Sequence, residues 1–326
     1  MRLATRRNGT PDGELVVVAA DGAHAAPASG IAATMQAALE RWRDVEPALL
    51  ALADAVAGGT APGLTTLDPA TLVAPLPRAW QWLDGSAYLN HGDLMQKAFR
   101  LPPIETDRPL MYQGLSDRFL GPNDDVRLPS EDDGIDFEGE VGVIVDAVPM
   151  GISAADALGH IRLIIQINDW SLRTIAPIEM KTGFGWVQAK PACSTAPFAS
   201  TPDALGDRWH DGRLAAILET QVNGERFGAV DSGAEMAFGF HELVAHAART
   251  RDLVAGTIIG SGTVSATNYA EVGSSCLSER RAIDAIAGRP LTPFLRFGDR
   301  VRMEARVNGQ PIFGVIDQRV IAARTG

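Results

Sequence analysis

The chain has 326 residues, of which 46% are hydrophobic and 21% charged, and carries a formal net charge of −11. That length accommodates one large domain, or one large and one small, with apolar material for a sizeable core. The acidic balance excludes nucleic acid as a partner, since phosphate binding needs a basic surface, and gives no help toward anionic lipid.

In chain order, residues 2–6 and 15–19 read as two strands joined by the turn Asn8-Gly9-Thr10-Pro11-Asp12-Gly13. The apolar stretch 15–20 is too short for a membrane span, and the acidic Asp12 and Glu14 before it do not suit a signal peptide. Two distant cysteines, Cys193 and Cys276, call for no disulfide framework, so a cytoplasmic location is expected. Met35, Leu39, Trp42, Val45, Leu49, Leu52 and Val56 recur at helical spacing and predict a helix over residues 31–56, broken or kinked at Pro47. A stretch rich in Gly, Pro and Thr (58–69), then Pro75-Leu76-Pro77, separates a small N-terminal β/helix domain, residues 1–75, from a main domain, residues 76–326.

The main domain is strand-rich. Residues 141–145 and 163–167 are continuous apolar runs, as in strands buried on both faces, with a helix expected over 154–160 between them. Two Val-Asn-Gly segments, at Val222-Asn223-Gly224 and Val307-Asn308-Gly309, each predict a hairpin, and residues 234–250 read as a helix. The class is therefore mainly β with helices, α+β, without a fixed-period repeat.

The most informative segment is Asp136-Phe137-Glu138-Gly139-Glu140, leading straight into the apolar run. In a strand, residues two apart share a face, so Asp136, Glu138 and Glu140 are expected to point the same way. Such a row on a surface is a solvated edge, but carboxylates carried toward a core need a partner or a cation. Asn168-Asp169-Trp170-Ser171-Leu172-Arg173 closes the next apolar strand with another carboxylate. Oxygen donors favour a hard ion, Mg²⁺ foremost with Mn²⁺ and Ca²⁺ as alternatives, and no Cys/His cluster with zinc spacing competes. The Gly-rich stretch 256–263 lacks the terminal Lys-Ser/Thr of a phosphate loop.

Together these segments resemble the fumarylacetoacetate hydrolase family in its longer, two-domain bacterial form. The family's Glu-x-Glu and Asn-Asp-x-Ser-x-Arg motifs fall on Glu138, Glu140 and Asp169. Upstream, Asp84, His91 and Arg100 keep the family's spacing of metal-ligand Asp, general-base His and substrate-binding Arg, and Tyr112 stands in a Tyr-x-Gly. Downstream, Gly260-Ser261-Gly262-Thr263 matches a Ser-Gly-Thr loop whose Thr contacts substrate, and residues 273–279 end in the Glu that orients the His. The resemblance covers roughly residues 78 to 320. It departs at Ser86, Ala176 and Met180, where longer members carry Tyr, Gln and Tyr, and in two extra residues before Glu279.

What the resemblance implies is a mixed β-sandwich roll preceded by a small β-rich domain, in a homodimer acting on a small anionic keto acid. Asp84, Glu138, Glu140 and Asp169 would hold the metal. His91 with Glu279 would activate water, while Lys190 and Arg173 would supply positive charge to the developing oxyanion. Ser86, Arg100, Tyr112 and Thr263 would bind substrate. The reaction so implied is hydrolysis of a carbon–carbon bond in a diketo acid of the fumarylacetoacetate or acylpyruvate type. A β-keto acid decarboxylase, an enol hydratase or a tautomerase is the alternative within the fold, and a non-catalytic metal-stabilised binding protein the alternative outside it.

Overall fold

The computed structural model of the chain describes residues 1–100, 102 and 107–323. The last three residues of the main domain expected from sequence therefore lie outside the described residues. Chain order begins with strands β1 (Arg2–Arg6), β2 (Glu14–Val18) and β3 (His24–Pro27), followed by helices α1 (Met35–Leu39) and α2 (Trp42–Ala57). Then come β4 (Trp82–Gly85), α3 (Leu89–Phe99), β5 (Met111–Gln113), β6 (Gly139–Val145) and β7 (Ile161–Asn168). Helix α4 (Ala176–Thr182) and strand β8 (Phe198–Ser200) precede the hairpin β9 (Ile217–Val222) and β10 (Glu225–Asp231). The chain ends through α5 (Phe240–Ala247), β11 (Ile258–Gly260), α6 (Leu277–Ile286), β12 (Arg300–Val307) and β13 (Ile316–Ala322).

A central sheet runs β3-β2-β1-β8-β7-β6-β11-β4-β5, with Thr65–Thr66 beyond β3 and Ser194–Thr195 beside β7. It is antiparallel except where β11 lies parallel to β4. A second sheet runs β10-β9-β12-β13 and is extended by Val126–Leu128. The N-terminal strands are not a separate sheet, since β1 pairs with β8 and so continues the central one.

The apolar runs of β6 and β7 are buried on both faces, as their composition predicts. Val141, Val143, Val145 and Ile164 face one core, shared with Leu218, Val301, Met303 and Val320 of the second sheet. Ile144, Leu163, Ile165 and Ile167 face the other, shared with Leu3, Leu15, Val17 and the helical Met35, Leu39, Trp42 and Leu49. Each such side chain stabilises the fold by roughly 1.5–3 kcal/mol when fully buried. The two Asn-Gly turns hold positive φ at both residues, 53° and 84° at Asn223-Gly224 and 50° and 76° at Asn308-Gly309. That is the mirror-image turn whose twist matches two antiparallel strands.

Three local expectations change. The N-terminal helix breaks at Glu40–Arg41 rather than at Pro47, which lies within α2 and costs one backbone hydrogen bond without ending it. The break lets Leu39 and Trp42 both reach the core. The helix expected over 234–250 shortens to α5, whose start is fixed by Glu242 accepting from the Gly239 N–H at 2.7 Å. The row Asp136, Glu138, Glu140 does not share one face, because the strand is interrupted. Ile135–Asp136 pairs with Ser171–Leu172, and β6 begins only at Gly139. Asp136 turns instead to the first turn of α6, accepting from the N–H groups of Leu277 at 2.7 Å and Ser278 at 2.9 Å.

Candidate metal centre and active site

Four carboxylates meet where the central strands end. Asp84 lies on β4, registered against Gly260 of β11 and Tyr112 of β5. A Cβ at Gly260 would stand 2.4 Å from Asp84 Oδ1, so only glycine leaves that carboxylate its place. Gly262, with φ of 75°, donates its N–H to the same oxygen at 3.0 Å. Glu140 lies on β6 opposite Ile167 of β7. Glu138 and Asp169 are clasped by their backbones: the Glu138 N–H donates to Asn168 Oδ1 at 3.1 Å, and the Asp169 N–H to the Glu138 carbonyl at 3.0 Å.

Ligand atoms of Asp84, Glu138, Glu140 and Asp169 all lie within 4.8 Å of one another, and each residue is buried. Two cations balance them in part. Lys190 Nζ donates to Asp169 Oδ2 at 2.5 Å and to Glu138 Oε1 at 3.3 Å, and Arg173 pairs with both Asp136 and Glu138. Burial pushes the Glu138 carboxyl up, but Arg173, Lys190 and His91 outweigh it and hold the group below the usual carboxylate range. Burial pushes the Lys190 ammonium down, and Asp169 and Glu138 more than reverse this. For Asp84 and Glu140 the pull of Lys190 is outweighed. Burial first, then the neighbouring carboxylates, pushes both well above the ordinary range.

Neither oxygen of Glu140 finds a donor among the described residues. Its polar neighbour Asp84 is another carboxylate, with which it shares a hydrogen bond only if one of the two carries a proton. Buried, unpartnered and mutually repelling oxygens of this kind fit a divalent cation, and an all-oxygen donor set fits a hard one.

Beside the cluster stands a histidine–carboxylate pair. His91, on α3, places Nδ1 3.3 Å from Oε2 of Glu279 on α6. Glu279 is fully buried while the His91 side chain keeps 21% of its surface exposed. Helices α3 and α6 pack on one another, and the Cys276 thiol caps α6 by accepting from the Glu279 N–H at 3.3 Å.

Of the other residues expected from sequence, Tyr112 donates its hydroxyl to Asp169 Oδ2 at 2.6 Å, and Thr263 is buried near Glu138, whose charged form it favours. Ser86 is half-buried two residues after Asp84, its N–H donating to the Leu110 carbonyl at 2.9 Å. Arg100 is not brought in: it is exposed at the C-cap of α3 with φ of 53°, and among the described residues it makes no hydrogen bond to the cluster. Arg173 is at the site, but its guanidinium is committed to two carboxylates, so it holds Glu138 in place instead of standing free for an oxyanion.

Sequence reasoning missed three contributors. Cys193 donates its thiol to Asp169 Oδ1 at 3.0 Å, and Ser171 its hydroxyl to Glu138 Oε1 at 3.1 Å. Trp186 packs edge-on against Tyr112, ring centres 4.7 Å apart, with the Lys190 ammonium 5.2 Å and 5.3 Å from the two rings. The i, i+2 spacing of Asp169 and Ser171 was a usable signal for one of these, whereas nothing local distinguishes Trp186.

Comparison with known proteins places these features in a family. A 2,4-didehydro-3-deoxy-L-rhamnonate hydrolase from Sphingomonas sp. (strain SKA58) is 27% identical over 164 residues, 49% of this chain and 54% of the relative. A human mitochondrial oxaloacetate tautomerase is 26% identical over 165 residues, 48% of each chain. The chain thus spans about half the length of the relatives it matches. In fold it resembles maleylpyruvate hydrolase from Sphingobium sp. SYK-6, solved with manganese(II) and pyruvate, at TM-score 0.68 and 18% identity over 99% of this chain and 100% of that one. A probable 2-hydroxyhepta-2,4-diene-1,7-dioate isomerase from Mycobacterium abscessus gives TM-score 0.68 and 20% identity over the whole of both chains. Residues 1–78 match the fumarylacetoacetase N-terminal domain 2 model, and residues 81–321 match the fumarylacetoacetate hydrolase C-terminal model. With most of its length so matched, the chain belongs to the fumarylacetoacetate hydrolase family.

Proposed function

We propose that this protein is a divalent-metal-dependent hydrolase that cleaves a carbon–carbon bond in a small 2,4-diketo acid of the acylpyruvate or fumarylacetoacetate type. The observation that carries this reading is the His91–Glu279 pair standing beside a buried four-carboxylate cluster, which joins a proton acceptor to a cation site. Asp84, Glu138, Glu140 and Asp169 would hold the cation, Mg²⁺ foremost. When bound, it supplies Lewis-acid stabilisation of the charge that develops on the keto oxygens.

The side chains do the rest. Glu279 holds a proton on His91 Nδ1, leaving Nε2 as a free acceptor, and stabilises the imidazolium that forms. His91 Nε2 takes a proton from water as the oxygen adds to the distal carbonyl carbon. The carbon–carbon bond then breaks, its electron pair passing into the enolate of the pyruvate-like fragment, and the His91 proton returns to that carbon. Lys190, buried and held cationic by Asp169 and Glu138, contributes fixed positive charge. Tyr112, Thr263 and Ser86 border the site and are the proposed substrate contacts. A bound cation, together with Lys190, would offset the repulsion that the acidic protein presents to a small anionic substrate. Two buried free thiols suit the reducing cytoplasm in which we place the enzyme, and among the described residues no helix is long and apolar enough to cross a membrane.

A second reading, enol–keto tautomerisation, is supported by relatives named as oxaloacetate tautomerases. One assay separates the two. Purified enzyme is mixed with a series of 2,4-diketo acids and, separately, with oxaloacetate, following the enol absorbance and the products, with Mg²⁺, with EDTA, and for His91→Ala. The hydrolase reading expects metal-dependent release of pyruvate or acetoacetate that needs His91. Intact diketo acids alongside rapid equilibration of enol-oxaloacetate would overturn it in favour of the tautomerase, and CO₂ release from oxaloacetate would favour a decarboxylase.

A further inference from the structure

Next to the all-oxygen cluster lies a second group of donors of different chemistry. One ligand atom each from His91, Cys276 and Glu279 lies within 4.8 Å of the other two. The reaction proposed above uses the imidazole and the carboxylate but leaves the thiol idle. Cys276 and Glu279 are fully buried, and the second carboxylate oxygen, Glu279 Oε1, has no hydrogen-bond partner among the described residues. The partly exposed His91 leaves a way in from solvent.

We infer that His91, Cys276 and Glu279 form an inhibitory site for a borderline-soft divalent cation such as Zn²⁺ or Co²⁺, distinct from the carboxylate cluster beside it. The donor set is thiolate, imidazole and carboxylate, the combination that selects zinc, whereas Mg²⁺ prefers oxygen alone. Three protein ligands leave a fourth, tetrahedral position for water on the open side. The spacing suits it: bonds of about 2.0–2.3 Å put tetrahedral ligand atoms roughly 3.3–3.7 Å apart, and His91 Nδ1 and Glu279 Oε2 already stand 3.3 Å apart. The two sites are mechanically joined, because Cys276 forms a backbone bridge with Glu138 of the carboxylate cluster.

The proton bookkeeping explains why the ion would inhibit. Burial, with Asp136 and Glu279 nearby, keeps the Cys276 thiol protonated in the free protein, so the entering cation displaces that proton to solvent. On His91 the cation occupies Nδ1, and the imidazole proton moves to Nε2. The atom that must accept a proton from water then carries one. Zn²⁺, one thiolate, one carboxylate and a neutral imidazole sum to zero charge, so the buried pocket is left neutral. The inhibitory consequence rests on His91 being the proton acceptor, while the site itself does not.

The test is therefore spectroscopic first and kinetic second. Enzyme loaded with Mg²⁺ is titrated with Co²⁺, and the near-ultraviolet thiolate-to-cobalt charge-transfer band is followed in the wild type, Cys276→Ser and Cys193→Ser. Serine is itself a good N-cap, so Cys276→Ser keeps the start of α6. The expected result is a band in the wild type and in Cys193→Ser that is missing from Cys276→Ser. Absence of the band from the wild type, its persistence in Cys276→Ser, or its loss with Cys193 would overturn the site, since Cys193 belongs to the carboxylate cluster. Should Cys276→Ser fail to fold, His91→Gln keeps the thiolate and is expected to weaken Co²⁺ binding on the order of 10–100-fold; unchanged affinity there would equally reject the site. With turnover established, Cys276→Ser is expected to keep its basal rate and to lose at least about tenfold in sensitivity to Zn²⁺. Equal sensitivity, with the cobalt result intact, would overturn the inhibitory role alone.

Discussion

The two sides of the site are built to different standards of rigidity. On one side, Asp84 and Glu140 stand on strands of the central sheet, and Glu138 and Asp169 are clasped through their own backbones. On the other side, α4 and the chain up to residue 188 expose Ile178 (68%), Met180 (59%), Phe184 (96%) and Val187 (83%). That second region has little core of its own. Its return to the sheet is held by Glu179, which accepts from the N–H groups of Val187, Gln188 and Ala189, and by the Leu172 N–H, which donates to the Ala189 carbonyl at 2.8 Å. The carboxylate cluster is thus anchored in the sheet, while the neighbouring cover, which sends Trp186 against Tyr112, is held by few contacts.

The largest expected effect lies at the His91–Glu279 pair, which helices α3 and α6 hold beside the rigid cluster. His91→Ala should lower kcat by about 10²–10⁴-fold, the range of a lost general base, while Mg²⁺ binding measured by calorimetry stays unchanged. An unaltered kcat would remove His91 from the chemistry. The next largest effect is expected at Glu140→Gln. Removing one ligand charge should weaken Mg²⁺ on the order of 10–100-fold. Mg²⁺ at about 100 times its Kd adds about 2.7 kcal/mol to the folded form, and the thermal upshift it gives the wild type should be largely missing from this variant. The metal-free fold should not suffer, because the amide can donate the hydrogen bond to Asp84 that two carboxylates cannot share. A collapse of the metal-free protein with no change in metal affinity would make Glu140 a structural residue.

A smaller effect follows from pH. Asp84 and Glu140 have folded-state pKa values raised above the ordinary range. The stability they contribute is therefore complete below the unfolded carboxylate pKa and is lost as pH rises through the folded values. Glu138 has the opposite sign, and its contribution is lost only on the acid side, below the ordinary range. Metal-free protein should consequently lose several degrees of Tm as pH rises from about 5 to about 8. Saturating Mg²⁺ should flatten that slope, because the cation replaces the missing protons. A metal-free Tm that climbs over the same interval would contradict the repulsion between Asp84 and Glu140.

How much of this was legible in the sequence follows the same division. The doubly buried β6 and β7 announce themselves as unbroken apolar runs, and the hairpins as Asn-Gly pairs, because both signals are local. Glu138, Glu140 and Asp169, the carboxylates proposed to hold the cation, were readable from strand spacing and motif order. Asp136 was not, because its fate depends on α6, whose first turn lies 141 residues away and supplies the donor it binds. Cys193 and Trp186 escaped for a related reason: their partners, Asp169 and Tyr112, come from other elements, and no period in the chain links them. Arg100 shows the converse. Its spacing from His91 matched a motif, but α3 ends there in a left-handed residue and leaves the side chain exposed.

The mildest prediction concerns the soft side of the site and decides what that side is for. Glu179 is half-buried, and the N–H groups of Gln188, Ala189 and Val187 hold its carboxyl below the usual range, so it is a charged clasp for the loop. Glu179→Ala removes three acceptor contacts from a segment that carries no β-ladder and few buried side chains, so global unfolding should barely notice. Locally, Trp186 loses the anchor that keeps it against Tyr112 and over Lys190. If the loop selects and covers substrate, KM should rise a few-fold with kcat nearly unchanged, the pattern of lost uniform binding. If kcat falls instead while KM holds, the loop contributes to the transition state, through the placement of Tyr112 and Lys190, and the division between a braced sheet and a lightly held cover would have to be redrawn with Trp186 on the rigid side.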